Sequence, residues 1–247
     1  MHCYRVIVHA HSLWSYDGTK TLGELSRLFS PFANILMMTE HSQRFSASRF
    51  KEYQDECSDA STQSLRILPG MEYSTEKNEI HILTWGINEY LGEELRVETI
   101  LAKVAQAKGV AILAHPGRRE IWKKYDHTWT NNLYGIELWN RKTDGLSSSR
   151  HAEKLLQITK LNAIASLDFH EKNQIYPLYN ILRSNRPISE MTNSQIIELI
   201  RSTTLYPRFA GLPIDSRKSQ FARKLLSVCE RIDDISLPIR RMLKMYF

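Results

Sequence analysis

Short apolar runs recur along the chain, each followed by a longer stretch in which apolar residues return at helical spacing. The runs are 5–8, 34–38, 65–68, 79–83, 110–114, 134–139 and 162–167, and they predict strands. Helices are predicted over 21–30, 47–60, 97–108 and 148–160. In the third, Val97, Ile100, Leu101 and Val104 line one face and Gly109 is a natural C-cap. Near-continuous apolar strands alternating with helices indicate an α/β fold with a largely parallel sheet. About seven strands with polar groups at their C-terminal ends favour a closed barrel, whose active site lies at that face. Two more helices are expected over 195–201 and 218–233, so the chain divides into a barrel, 1–204, and a helical C-terminal extension, 205–247.

The polar residues ending these runs carry the chemistry. His9 and His11 close the first run as a His-x-His pair. On a strand, residues two apart face the same side, so both imidazoles can meet one metal. Asp168 and His170 repeat the device after the last run. Between them, Asp17 lies in a turn, and His41, Glu72 and His115 each end an apolar segment, while His81 lies inside one. A lone strand histidine such as His81 is also a common packed residue. Glu137 fits two readings equally, as a group orienting a ligand or as a strand-end acid bonded to a neighbour.

In order, these segments read HAH, SYDG, TEH, GME, EIHIL, AHP and DFH. The series resembles the polymerase-and-histidinol-phosphatase (PHP) family of metal-dependent phosphoesterases over about residues 1–175. Two departures stand out: Glu40 where Asp is usual before the His, and Tyr16 inserted in the turn before Asp17. The resemblance implies a distorted (β/α)7 TIM-like barrel. It implies two to three divalent ions (Zn, Mn or Fe) on His9, His11, Asp17, His41, Glu72, His81, His115, Asp168 and His170. Such donors suit these metals. The implied reaction is hydrolysis of a phosphate ester by a hydroxide bridging the ions, with His81 or His170 protonating the leaving group; the sequence leaves ligand and acid roles open for both. The ester is a small phosphomonoester, a nucleotide or a nucleic-acid end. Two other readings are a non-catalytic module stabilised by metal and a hydrolase of a non-phosphate bond on the same scaffold.

Charge supports an anionic ligand. The 247 residues carry a net charge of +6, and residues 205–247 hold nine Lys/Arg against four Asp/Glu. Three divalent ions would bring +6, of which Asp17, Glu72 and Asp168 cancel half. Arg118 and Arg141 follow strand-end motifs and are candidate phosphate ligands, against the alternative of a solvated loop. Trp122, Tyr125 and Trp129 interleave with basic residues. That mix fits stacking on single-stranded nucleic acid, although packing of a lid or core is the commoner use. No apolar run reaches the 18 residues a membrane span needs. Three scattered cysteines without a CxxC argue against disulfides and point to the cytoplasm. Oligomeric state is not legible.

Overall fold

The computed structural model describes residues 1–75 and 79–214, together with Phe221 and Lys224. The apolar runs pair into two six-stranded sheets of a mixed α/β fold. One contains β1 (His2–Ala10), β2 (Ile35–Met38), β4 (Arg66–Leu68), β10 (Leu178–Ser184), β11 (Tyr206–Phe209) and β12 (Leu212–Pro213), in the order β12-β11-β10-β1-β2-β4. The other contains β3 (Glu40–His41), β5 (Gly70–Ser74), β6 (His81–Trp85), β7 (Val110–Leu113), β8 (Gly135–Asn140) and β9 (Asn162–Ser166), in the order β3-β5-β6-β7-β8-β9.

The sheets are joined at two places. Only Thr39 separates β2 from β3 and only Pro69 separates β4 from β5, so two segments pass directly from one sheet to the other. There Trp85 Nε1 donates to the Met38 carbonyl at 2.7 Å. Gly70 is required by this approach: a Cβ on it would lie 2.3 Å from Trp85 Nε1 and 2.4 Å from the Met38 oxygen. At the second place the chain just after β9 meets β1, inside the first sheet: Leu167 N–H donates to Val8 O, Phe169 N–H to His9 O and His11 N–H to Phe169 O, at 2.8–3.1 Å.

The expectation of a largely parallel arrangement holds only in part. β1–β2–β4, β3–β5 and β7–β8–β9 pair in parallel, but β6 is antiparallel to both β5 and β7. The connection from Ser74 to His81 is too short for a parallel crossover, so the chain must reverse. The start of β6 therefore lies beside the C-terminal ends of its neighbours, with His81 opposite Ser74 and Ile82 opposite Leu113. That reversal is why a histidine at the start of a strand joins histidines at the ends of others.

A second correction concerns residues 205–214. They were expected to begin a helical extension, yet β11 pairs antiparallel with β10 and β12 folds back on β11. Alternating contacts with an existing sheet edge satisfy their backbone better than an isolated helical turn. The predicted helix over 218–233 lies outside the described residues but for Phe221 and Lys224.

Helices α1 (Leu22–Phe29), α2 (Ala47–Ala60), α3 (Val97–Gln106) and α5 (Arg150–Thr159) bury one face against the strands; α4 (Arg141–Asp144) is a single turn after β8. α1 begins with a Thr21–Glu24 capping box. One apolar cluster joins Ile7, Leu36, Leu25, Phe50, Ile100 and Leu155 between strands and helices. A second joins Val6, Met37, Leu83, Ile112 and Ile164, from strands of both sheets, to Ile196 and Ile200 of α6 (Asn193–Ser202).

Candidate metal centre

The His-x-His pair is not presented by regular strand alternation. The β1–β2 register slips between Val8 and Ala10, and His9 has φ 68°. This bulge re-aims the end of β1 so that the rings of His9 and His11 lie 5.2 Å apart, both fully buried. Asp168 (φ 50°) and His115 (φ 27°) also sit in the left-handed region. Side chains other than glycine pay for that backbone with strain, and such residues gather at functional sites.

All nine residues predicted as ligands converge on one region. Their donor atoms form three overlapping groups within which every atom lies within 4.8 Å of the others. The first is His9, His11 and Glu72. Asp168 Oδ1 joins it, 3.6 Å from Nε2 of both histidines. The second is Glu72, His81 and His115, with Glu72 Oε1 at 2.5 Å from His81 Nδ1 and 3.1 Å from His115 Nε2. The third is His11, Asp17, His41 and His170; Asp17 lies 2.9 Å from His170 Nε2 and 3.4 Å from His41 Nε2. Glu72 belongs to the first two groups and His11 to the first and third. Asp17 can reach the third group because the next residue is Gly18, where a Cβ would lie 1.9 Å from the Ser12 oxygen.

A surrounding layer fixes these donors. Glu137 accepts from His9 Nδ1 at 2.6 Å, from the His115 backbone N–H at 2.6 Å and from Asn140 Nδ2 at 2.8 Å. Asn140 also donates to Asp168 at 3.2 Å. Glu40 accepts from Ser12 N–H, from the Ser12 hydroxyl and, at 2.5 Å, from the Ser15 hydroxyl. Ser15 in turn meets His11 Nδ1 and accepts from the His41 backbone N–H. The acid before His41 thus acts through the turn carrying Ser15, a role the motif alone does not disclose. His170 Nδ1 donates to the Asp168 carbonyl at 2.8 Å, which leaves the lone pair on Nε2.

The protein groups alone set unequal proton preferences. Burial opposes ionisation of Glu72, yet His81, His41 and His9 hold its carboxyl well below the ordinary range. Asp168, likewise buried, is held low chiefly by His9. Burial also opposes ionised Asp17, but the neighbouring His170 and His41 hold its carboxyl well below the ordinary range. Burial disfavours a charged His9, and Asp168, Glu137 and Glu72 outweigh it, so its affinity for a proton rises. His11 moves the other way through burial and the neighbouring His41 and His170.

The donor groups line a cavity of about 130 Å³ with Tyr16, Arg118, Lys142 and Thr143 on its walls. Arg118 donates to His81 Nε2 at 3.2 Å. Arg141 does not line this cavity; its guanidinium lies 4.5 Å from the Tyr176 ring centroid and faces an adjacent recess with Lys142, Glu171 and Gln174. Lys142, which the sequence reading passed over, reaches the centre instead: Nζ is 2.9 Å from His170 Nε2 and 3.8 Å from Asp168. A lysine beside a candidate arginine in a basic pair gave no local signal of which would turn inward. The aromatic segment is packed. Trp122 stacks on His151 at 4.4 Å, Tyr125 bonds Thr130, and Trp129 is buried with its Nε1 on Glu98.

The residues fit divalent ions. His11 Nε2, Asp17 Oδ1, His41 Nδ1 and His115 Nδ1 are buried without a hydrogen-bond partner, which is costly unless a cation takes up some of those lone pairs. His170 Nε2 and Asp17 Oδ2, 2.9 Å apart, likewise call for a positive group between them.

No family model matches the chain, and no curated protein matches it. Solved structures do. A two-domain protein from Bacteroides vulgatus containing a predicted PHP-like metal-dependent phosphoesterase aligns with TM-score 0.61 and 14% identity, over 90% of this chain and 69% of that one. PsfC from Pseudomonas syringae aligns with TM-score 0.63 and 16% identity, over 92% of this chain and 100% of its own. The lesion-specific endonuclease PfuEndoQ from Pyrococcus furiosus aligns with TM-score 0.56 and 13% identity, over 83% and 58%. At these identities the likeness is one of fold. This chain shares the fold of PHP-like phosphoesterases, the family that its ordered motifs resemble.

Proposed function

We propose that this chain is a PHP-type metal-dependent phosphoesterase acting on a phosphomonoester, such as a nucleotide. The observation that carries the reading is the sharing of Glu72 and His11 among three donor groups, the arrangement that holds ions close together. We read the two sheets, joined where β2 and β4 pass into β3 and β5 and where the end of β9 meets β1, as one distorted seven-stranded barrel with the site at its rim. His9, His11, Glu72 and Asp168 would hold one ion, Glu72, His81 and His115 a second, and Asp17, His41 and His170 offer a third place. Bound there, Zn, Mn or Fe supplies Lewis acidity and lowers the pKa of water.

The chain's own side chains do the rest. Arg118 offers its guanidinium to the phosphate oxygens from the cavity wall. Glu137 holds His9 and the His115 backbone in place, so the donors need not rearrange. The proton for the leaving oxygen is assigned to the contact between Lys142 and His170, the one of the two candidate histidines with an ammonium on its Nε2. A small cavity and an engaged aromatic segment favour a terminal phosphate over a bound strand. Free Cys3 and Cys57 accord with a cytoplasmic setting.

The test is phosphate release by Mn-loaded protein from a nucleotide monoester and from a short single-stranded oligonucleotide. Inorganic phosphate from the monoester is expected, with loss of at least about a hundredfold in His11→Ala at unchanged circular dichroism. Stepwise mononucleotides from the oligonucleotide would make the chain a nuclease. Undiminished release in His11→Ala would sink the reading.

A further inference from the structure

We infer that Lys142 takes the place of a third ion, so that the centre works with two metals and one ammonium. The inference rests on the phosphoesterase reading above and concerns how the site is occupied. The third donor group differs from the first. Its only carboxylate is Asp17, whose side chain is 31% exposed, whereas Glu72 and Asp168 are 2% and 7% exposed. Asp17 is thus the wettest of the three carboxylates, and water weakens its pull on a divalent cation the most.

Lys142 already supplies a positive charge there. Its Nζ lies 2.9 Å from His170 Nε2, 3.8 Å from Asp168 Oδ1 and 4.0 Å from Asp17 Oδ2. Because His170 Nδ1 is committed to the Asp168 carbonyl, Nε2 carries the ring's only lone pair. A metal on His170 and the Lys142 ammonium would compete for that lone pair, and two cations at such separation repel. The lysine is held in position from behind. The Asn140 side chain caps the turn by accepting from the Thr143 N–H at 2.9 Å, and Asp144 accepts from the Asn140 N–H at 2.8 Å. The same Asn140 reaches Glu137 and Asp168, so the lysine's turn and the first metal group share one anchor.

The experiment counts metal rather than turnover. Metal-free protein is titrated with Mn²⁺ in wild type, Lys142→Met and Lys142→Gln, and bound Mn²⁺ per chain is measured after desalting at graded free Mn²⁺. Two ions are expected in wild type and three in both variants, the third at least about tenfold tighter than any third ion wild type takes up at high Mn²⁺. Adding Asp17→Asn to Lys142→Met should return the count to two. Lys142 is 41% exposed in its side chain, so the variants are expected to fold, as melting curves will check. Three ions in wild type, or two in the variants, overturns the inference and leaves the phosphoesterase reading standing. No bound Mn²⁺ in any protein overturns both.

Discussion

Glu137 touches no other cluster member's metal-facing atom, yet it fixes the tautomer of His9 and the backbone of His115. Glu137→Gln should weaken metal binding by about 10–100-fold, measured by calorimetric titration, with the fold intact. Asp144 supplies a pH test. Burial, reinforced by the charge of Glu137, raises its pKa from 3.8 to about 6 despite the Asn140 N–H. The folded state therefore binds that proton more tightly than the unfolded chain, and stability is lost as pH rises from about 4 to 6. Asp144→Asn keeps an acceptor for Asn140 and removes the buried charge. It should gain about 1–3 kcal/mol at pH 8 and nothing near pH 3.5, read from urea unfolding at both. That the nine residues predicted as ligands would gather was legible because their spacing follows an ordered set of motifs. Ser15, Asn140 and Lys142 were not, because what they do depends on distances set by the fold between segments far apart in sequence.

Among elements, the tightest constraint is where the chain crosses between sheets at Gly70. Gly70→Ala should destabilise by about 2–3 kcal/mol, seen as a lower urea midpoint, since Trp85 and the Met38 carbonyl leave no room for a methyl group. Helix α2 was read with its observed bounds because its cap and periodicity are local. β10 was missed: its central Asn180 looks like a surface residue, but it is fully buried and bonds both the N–H and the carbonyl of Ala165. A polar residue buried for the sake of a neighbouring strand breaks the alternation on which strand reading rests. β3 and β5 escaped because their residues were read as ligands and turns. Gly109 was expected to supply the left-handed end of α3, and Lys108 supplies it instead, with φ 56°.

At the scale of the molecule, metal and stability are linked. Four carboxylates, Glu40, Glu72, Glu137 and Asp168, are buried around the histidines, so ions that bind only the folded chain should raise its melting temperature. Each site held at a hundred times its dissociation constant contributes about 2.7 kcal/mol. A chelator should therefore lower the melting point of wild type by several degrees and that of His11→Ala by clearly less, since His11 serves two of the donor groups. The mixed α/β class was legible from the order of runs and motifs. The direction of β6 and the strand pairing of residues 205–214 were not, because both follow from connection length and edge availability rather than from apolar pattern. Among the described residues no helix is long and apolar enough to cross a membrane.

His9, His115 and Asp168 sit where glycine or asparagine would rest more comfortably. Without bound ions, relief of backbone strain and retention of the donor side chains consequently pull these three codons in opposite directions. A laboratory lineage selected for thermal survival in the presence of a chelator would drift toward glycine or asparagine there and lose the donor set. A sister lineage also screened for phosphate release would hold all three unchanged and collect its stabilising changes elsewhere.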